Sequence, residues 1–134
     1  MKNLVSIGIA GVIALGLSGC GGGDSAITSL NINNLEDGYE VIIENAAHSK
    51  MRYIFCADGY TLADMHNIMI VPGTYAIRSD RYIDFDAGND GAVDLFMDVL
   101  TDTMEVGETY DIVNPPATPF DTQEIISITT KSCP

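Results

Sequence analysis

The chain has 134 residues and carries 6 basic against 19 acidic side chains, a formal net charge of −13 at pH 7. That field, with no Lys/Arg cluster to offset it locally, repels phosphate backbones and excludes nucleic acid as a partner. It also repels anionic lipid surfaces, so charge is not what would hold the protein to a membrane; solubility is the default reading of the acidity.

The first residues read as an address. Met1-Lys2-Asn3 gives a short positive start, and residues 4–17 follow without a charge, interrupted by Ser6, Gly8, Gly11 and Gly16. At about 1.5 Å per residue this run covers only about 21 Å of a hydrocarbon layer roughly 30 Å thick, which suits a signal-peptide core and not a transmembrane helix. It ends in Leu17-Ser18-Gly19-Cys20. These residues resemble the lipobox of bacterial lipoprotein precursors, a resemblance that covers residues 1–20. It implies cleavage before Cys20, a diacylglyceryl group on the Cys20 thiol and, in many Gram-negative bacteria, a third acyl chain on its freed amine. Each buried CH₂ contributes about 0.8 kcal/mol and stable anchoring takes about two chains, so such a cysteine would hold the protein to a membrane. Gly21, where an aspartate would retain the protein at the inner membrane in enterobacteria-like sorting, implies the outer membrane. The division expected is a signal peptide over 1–19, a lipidated cysteine with a flexible Gly21-Gly22-Gly23 tether over 20–28, and one folded domain over 29–134. A domain of that size can bury a core without a dense disulfide framework.

From residue 26 onward, short β-type runs alternate with turn residues, without a sustained helical period. Strands are expected over 29–33, 39–44, 51–56, 67–71, 74–78, 82–86, 93–100, 109–113 and 124–130, with turns at Glu36-Asp37-Gly38, Ala57-Asp58-Gly59, Pro72-Gly73, Asn89-Asp90-Gly91 and Asn114-Pro115-Pro116. Residues 45–49 and 63–66 are candidates for a single helical turn. One word recurs at Tyr39, Tyr75 and Tyr110: an apolar residue four before the tyrosine and another two after it, which alternation sends to the same face as the tyrosine. Repeated use of one way of entering a strand accounts for it without duplication. The spacing predicts an all-β fold, a single antiparallel β-sandwich. The stretch from Pro72-Gly73-Thr74-Tyr75 to Gly107-Glu108-Thr109-Tyr110 is also similar to immunoglobulin-like or prealbumin-like β modules of bacterial surface lipoproteins. It covers about a third of the chain and brings no catalytic residue with it.

With Cys20 taken by lipid, Cys56 and Cys133 remain, and outside the cytoplasm an even pair reads as a disulfide; two separate buried thiols are the alternative. Closing that 77-residue separation would contribute roughly 4–4.5 kcal/mol in the chain-entropy model. His48 and His66 are the only histidines. Asp64-Met65-His66 lacks a Gly-x-Ser-x-Gly frame or a His-Glu-x-x-His to complete a triad or a metal site, so both histidines read as loop residues. Without tryptophan, most of the six tyrosines read as core or sheet-face residues, not a sugar platform.

The acidic hairpin over 82–98 is the most informative stretch. Counted from Asp86, an EF-hand loop would find Asp86, Asp90, Gly91, Val93 and Asp94 in place, but Gly88 stands at the third ligand position and Met97 at the bidentate twelfth. The plain reading is a β-hairpin turning at Asn89-Asp90-Gly91. A register that keeps Ile83 and Phe85 facing the apolar residues of the second arm must pair Asp94 with Asp84 if the turn centres on Asn89, or with Asp86 if it centres on Asp90. Slipping by one residue would expose the apolar set, which costs more than like charges face to face. Asp84, Asp86, Asn89, Asp90 and Asp94 are therefore the candidate ligands of a weak calcium site, with an affinity on the order of 10⁻⁴–10⁻³ M. The function expected is a lipid-anchored envelope lipoprotein, a non-catalytic binding or structural module that requires no cofactor, with the membrane and an envelope protein as partners. The alternatives are a calcium-stabilised ligand-binding or adhesion domain and, third, an envelope hydrolase of unrecognised type.

Overall fold

The structure, a computed structural model, describes residues 25–115 and 118–133; the signal peptide and Cys20 lie outside the described residues. The strands are β1 (Ala26–Ile27), β2 (Ser29–Asn31), β3 (Tyr39–Asn45), β4 (Lys50–Cys56), β5 (Gly59–Asp64), β6 (Ile70–Arg78), β7 (Tyr82–Ala87), β8 (Leu95–Asp98), β9 (Thr103–Glu105), β10 (Thr109–Asn114) and β11 (Thr118–Thr130), with a 3-10 segment over Ile32–Asp37. The all-β, antiparallel expectation holds, but the sandwich does not. The strands β3-β4-β5-β6-β7-β8-β10-β11 form one sheet whose last member pairs back on its first, closing an eight-stranded barrel.

The cause is the 13-residue β11. Its first half pairs with β10 and residues 123–130 pair with β3, with register shifts at Ile112/Val113 and Ile125/Ser127. Such irregularities bend a strand enough to turn a sheet onto itself. Pro119 stands opposite Val113 at the first shift, a place where a missing N–H is tolerated. The tether segment also ends earlier than expected: β1 lies inside it and pairs Ala26 with Thr129 and Ile27 with Ile128.

Alternation fills the barrel. Val41, Ile43, Phe55, Ile83, Met97 and Ile125 are fully buried, each stabilising the fold by roughly 1.5–3 kcal/mol. The recurring tyrosine word works as read: Tyr39 and Val41, Tyr75 and Ile77, Tyr110 and Ile112 all join the core. Tyr53 stacks between Phe55 and Phe85, with ring centroids 5.7 and 5.3 Å away, and its hydroxyl donates to Gln123 Oε1 across the interior (3.1 Å). Burial raises its phenol well above the usual tyrosine range. A second, two-stranded sheet of β2 and β9 and the 3-10 segment add Leu30, Ile32, Leu35 and Met104 to the same core, joined by Val99 just after β8.

Antiparallel alternation gives the barrel two unlike ends. Residues 25–37 and 99–108, the starts of β3, β5 and β7 and the end of β11 share the lower end. The loops over 46–49, 65–69 and 88–94 share the upper end. At the lower end Cys56 and Cys133 form a disulfide with Cα atoms 5.9 Å apart.

Candidate functional site

The β7–β8 hairpin adopts the second of the two expected registers. Ile83 pairs with Met97 and Phe85 with Leu95, and the Asp94 N–H donates to the Phe85 carbonyl (2.8 Å). Continuing the ladder puts Asp94 beside Asp86, while Asp84 stands opposite Phe96. The second arm is shorter than expected, since Val93 is exposed and lies outside β8.

The loop between the arms is built by its own carboxylates. Asp86 accepts from the N–H of Asp90 (3.1 Å) and of Gly91 (2.8 Å). Asp94 accepts from the Ala87 N–H (2.8 Å) and Asp90 from the Ala92 N–H (3.0 Å). Asn89 takes a positive φ of 55°, which asparagine tolerates better than most residues. One carboxylate oxygen from each of Asp86, Asp90 and Asp94 lies within 4.8 Å of the others. The Ala92 N–H, then the hydrogen bond with Asp86, hold the Asp90 carboxyl below the usual carboxylate range.

Of the four candidate aspartates, then, the fold gathers three. Asp84 is removed by Arg78, whose Nε and Nη2 donate to its carboxylate (2.9 and 3.0 Å). Asn89, at the tip of the same loop, accepts from the Thr74 hydroxyl (3.4 Å). Sequence reasoning missed both arginines of this face. Arg78 also lies over the rings of Tyr82 and Phe96, 4.3 and 4.8 Å from their centroids, and Arg81 grips Asp98 through Nε and Nη2 (2.7 and 2.8 Å). The Arg78–Asp84 signal was present in the spacing: β6 pairs Ala76 with Asp84 and Arg78 with Tyr82, which sets Arg78 diagonal to Asp84 on one face.

The histidines do not assemble a reaction centre. His48 is largely exposed, with Nδ1 4.0 Å from Glu44, and His66 is exposed in the β5–β6 loop. The Asp64 carboxylate accepts from the N–H groups of Ile68 (2.7 Å) and Met69 (3.2 Å), so it folds that loop instead of orienting His66. The same loop exposes Met65, Ile68 and Met69, with Ile70 beside them at the start of β6. No family model, no curated protein and no solved structure matches this chain.

Proposed function

We propose that the protein is a lipid-anchored lipoprotein of the bacterial cell envelope, at the outer membrane, whose barrel acts as a non-catalytic binding or structural module. The observation that carries this reading is Leu17-Ser18-Gly19-Cys20 placed directly after a charge-free run too short to span a bilayer. The Cys56–Cys133 disulfide supports it, since disulfides persist outside the reducing cytoplasm. Replacing Cys20 with Ala is expected to leave an uncleaved or mislocalised precursor on fractionation and mass analysis. Recovery of the same membrane-bound mature species would overturn the assignment.

The convergence of Asp86, Asp90 and Asp94 favours a second reading, calcium stabilisation of the upper end. The backbone N–H groups that these carboxylates cap already account for their meeting without an ion, which is why this reading stands second. A hydrolase has no comparable observation in its favour.

A further inference from the structure

A barrel has no free edge where its ladder is complete, but the β5–β6 ladder is not complete. β5 starts at Gly59, opposite Cys56 at the end of β4, and its pairing with β6 runs from Ala63–Ile70 to Tyr60–Gly73. β6 continues to Arg78, and residues 74–78 pair only with β7. The Pro72 carbonyl accepts from the Gly88 N–H, on the β7 side. By alternation Thr74 and Ala76 also face β7, and the N–H and C=O groups of Tyr75 and Ile77 face away from it, toward the side β5 has vacated. Among the described residues no backbone group pairs with them there.

That side opens into a groove of about 300 Å³ lined by β6 from Thr74 to Ile77, the Ala57–Gly59 turn and Glu36. The Tyr75 ring forms its inner wall, packed edge-on against Phe55 and fixed by donation from its hydroxyl to the Cys56 carbonyl (3.1 Å). The groove carries two acids, Glu36 and Asp58, and no base. Burial first, then the field of Glu36, Asp37 and Asp58, pushes the Tyr75 phenol up to about 12. Natural sheets blunt an open edge with lysine, proline or a bulge. Tyr75, Ala76 and Ile77 carry none of these, and β6 stays in register with β7 from Gly73 to Arg78.

We propose that the Tyr75–Ile77 edge of β6 is a peptide-binding site, which takes an extended, basic segment of a partner protein as an added strand. Main-chain hydrogen bonds to Tyr75 and Ile77 would hold the segment, and Glu36 and Asp58 would select lysine or arginine side chains at its rim. A second copy of this chain fits poorly, because edge-to-edge pairing would bring two acidic rims together. An acidic segment fails for the same reason. The site gives a partner chemistry to the binding-module reading; it rests on that reading but not on the lipid anchor, since the edge is tested in purified protein whatever Cys20 carries.

The test is amide hydrogen exchange of the ¹⁵N-labelled mature protein with three synthetic hexapeptides: alternating lysine and valine, alternating glutamate and valine, and the lysine–valine peptide methylated on alternate backbone nitrogens. The lysine–valine peptide is expected to slow exchange at Tyr75 and Ile77, and the other two to leave it unchanged. In Glu36→Gln/Asp58→Asn, two exposed residues, the Kd for the first peptide is expected to rise about tenfold, as for the loss of two exposed ion pairs. Three results would each overturn the site: no slowing at these two amides, equal binding of the methylated or acidic peptide, or amides already as slow as the barrel interior before any peptide is added. If that prior protection is lost on dilution, the edge belongs to a dimer instead.

Discussion

Tyr53 is the residue on which the interior depends most for something other than area. Its hydroxyl and Gln123 are a polar pair among buried side chains that, among the described residues, are otherwise apolar or aromatic. Tyr53→Phe keeps the ring stack and removes the donor to Gln123 Oε1. The expected loss is about 1–3 kcal/mol, the usual penalty for stranding a buried polar group, measured by denaturant unfolding. On the outer face Asp98 behaves differently. The Arg81 guanidinium, then the Leu100 N–H, hold its carboxyl below the usual range. A depressed folded-state pKa stabilises the fold above the unfolded value, about 3.9, and that contribution is lost as pH falls through the folded value. Wild type should therefore exceed Asp98→Asn in stability at pH 7, and the two should converge as the medium is acidified below about pH 4. A difference that persists in acid would assign the effect to packing. Both groups are only partly buried, so solvent screening should keep the gap at neutral pH small.

At the level of elements, the calcium reading turns on the β7–β8 loop. Millimolar calcium against chelator should raise the melting midpoint of the mature protein, and Asp86→Asn/Asp94→Asn should abolish the shift. An equal shift in the double variant would locate the ion elsewhere, and none in wild type would leave the loop as scaffold. The meeting of Asp86 and Asp94 was legible because one apolar pattern permits only two registers. The loss of Asp84 was missed, because seeing it means carrying the same register argument to the neighbouring β6–β7 ladder, which brings Arg78 alongside. Alternation likewise made β3, β4, β7 and β10 readable within a residue or so. It failed at β5, where Ala57-Asp58-Gly59 read as a loop although Gly59 already pairs with Cys56; a two-residue turn, Ala57-Asp58, between Cys56 and Gly59 was the available signal. It failed again at Pro72-Gly73, which read as a turn and instead runs through β6. Pro72 falls beyond the last β7 pair, Gly73–Ala87, where its missing N–H breaks no ladder bond. At Gly73 any Cβ would press on the Asp86 carbonyl and the Tyr60 ring, so the residue that looked like a turn signal is there for close strand approach.

For the whole molecule, closure was the feature that local pattern could not convey. Whether two edges meet depends on the pairing of β11 with β3, strands separated by most of the domain, and on bends at two register shifts. The Cys56–Cys133 bond reinforces that closure by tying the segment after β11 to the end of β4. Cys56→Ser/Cys133→Ser should cost up to about 4 kcal/mol, read as a lower denaturant midpoint with a somewhat steeper slope, since the uncrosslinked unfolded chain exposes more surface. An unchanged midpoint would show that the ladder alone holds the C-terminal segment.

The same seam decides how the domain bears force. The chain preceding Ser25 enters through β1, which runs antiparallel to the end of β11 and is bonded to it again where the Thr130 N–H donates to the Ser25 carbonyl and the Ser25 N–H to the Thr130 hydroxyl. A pull along the barrel axis on that leading segment loads these bonds together, in shear, instead of peeling them one at a time. Behind them β11 is clamped by β3 along its flank and by the disulfide just past its end. The load thus passes into a closed hoop, so a barrel tugged by its leading segment should slip as one unit or hold as one unit.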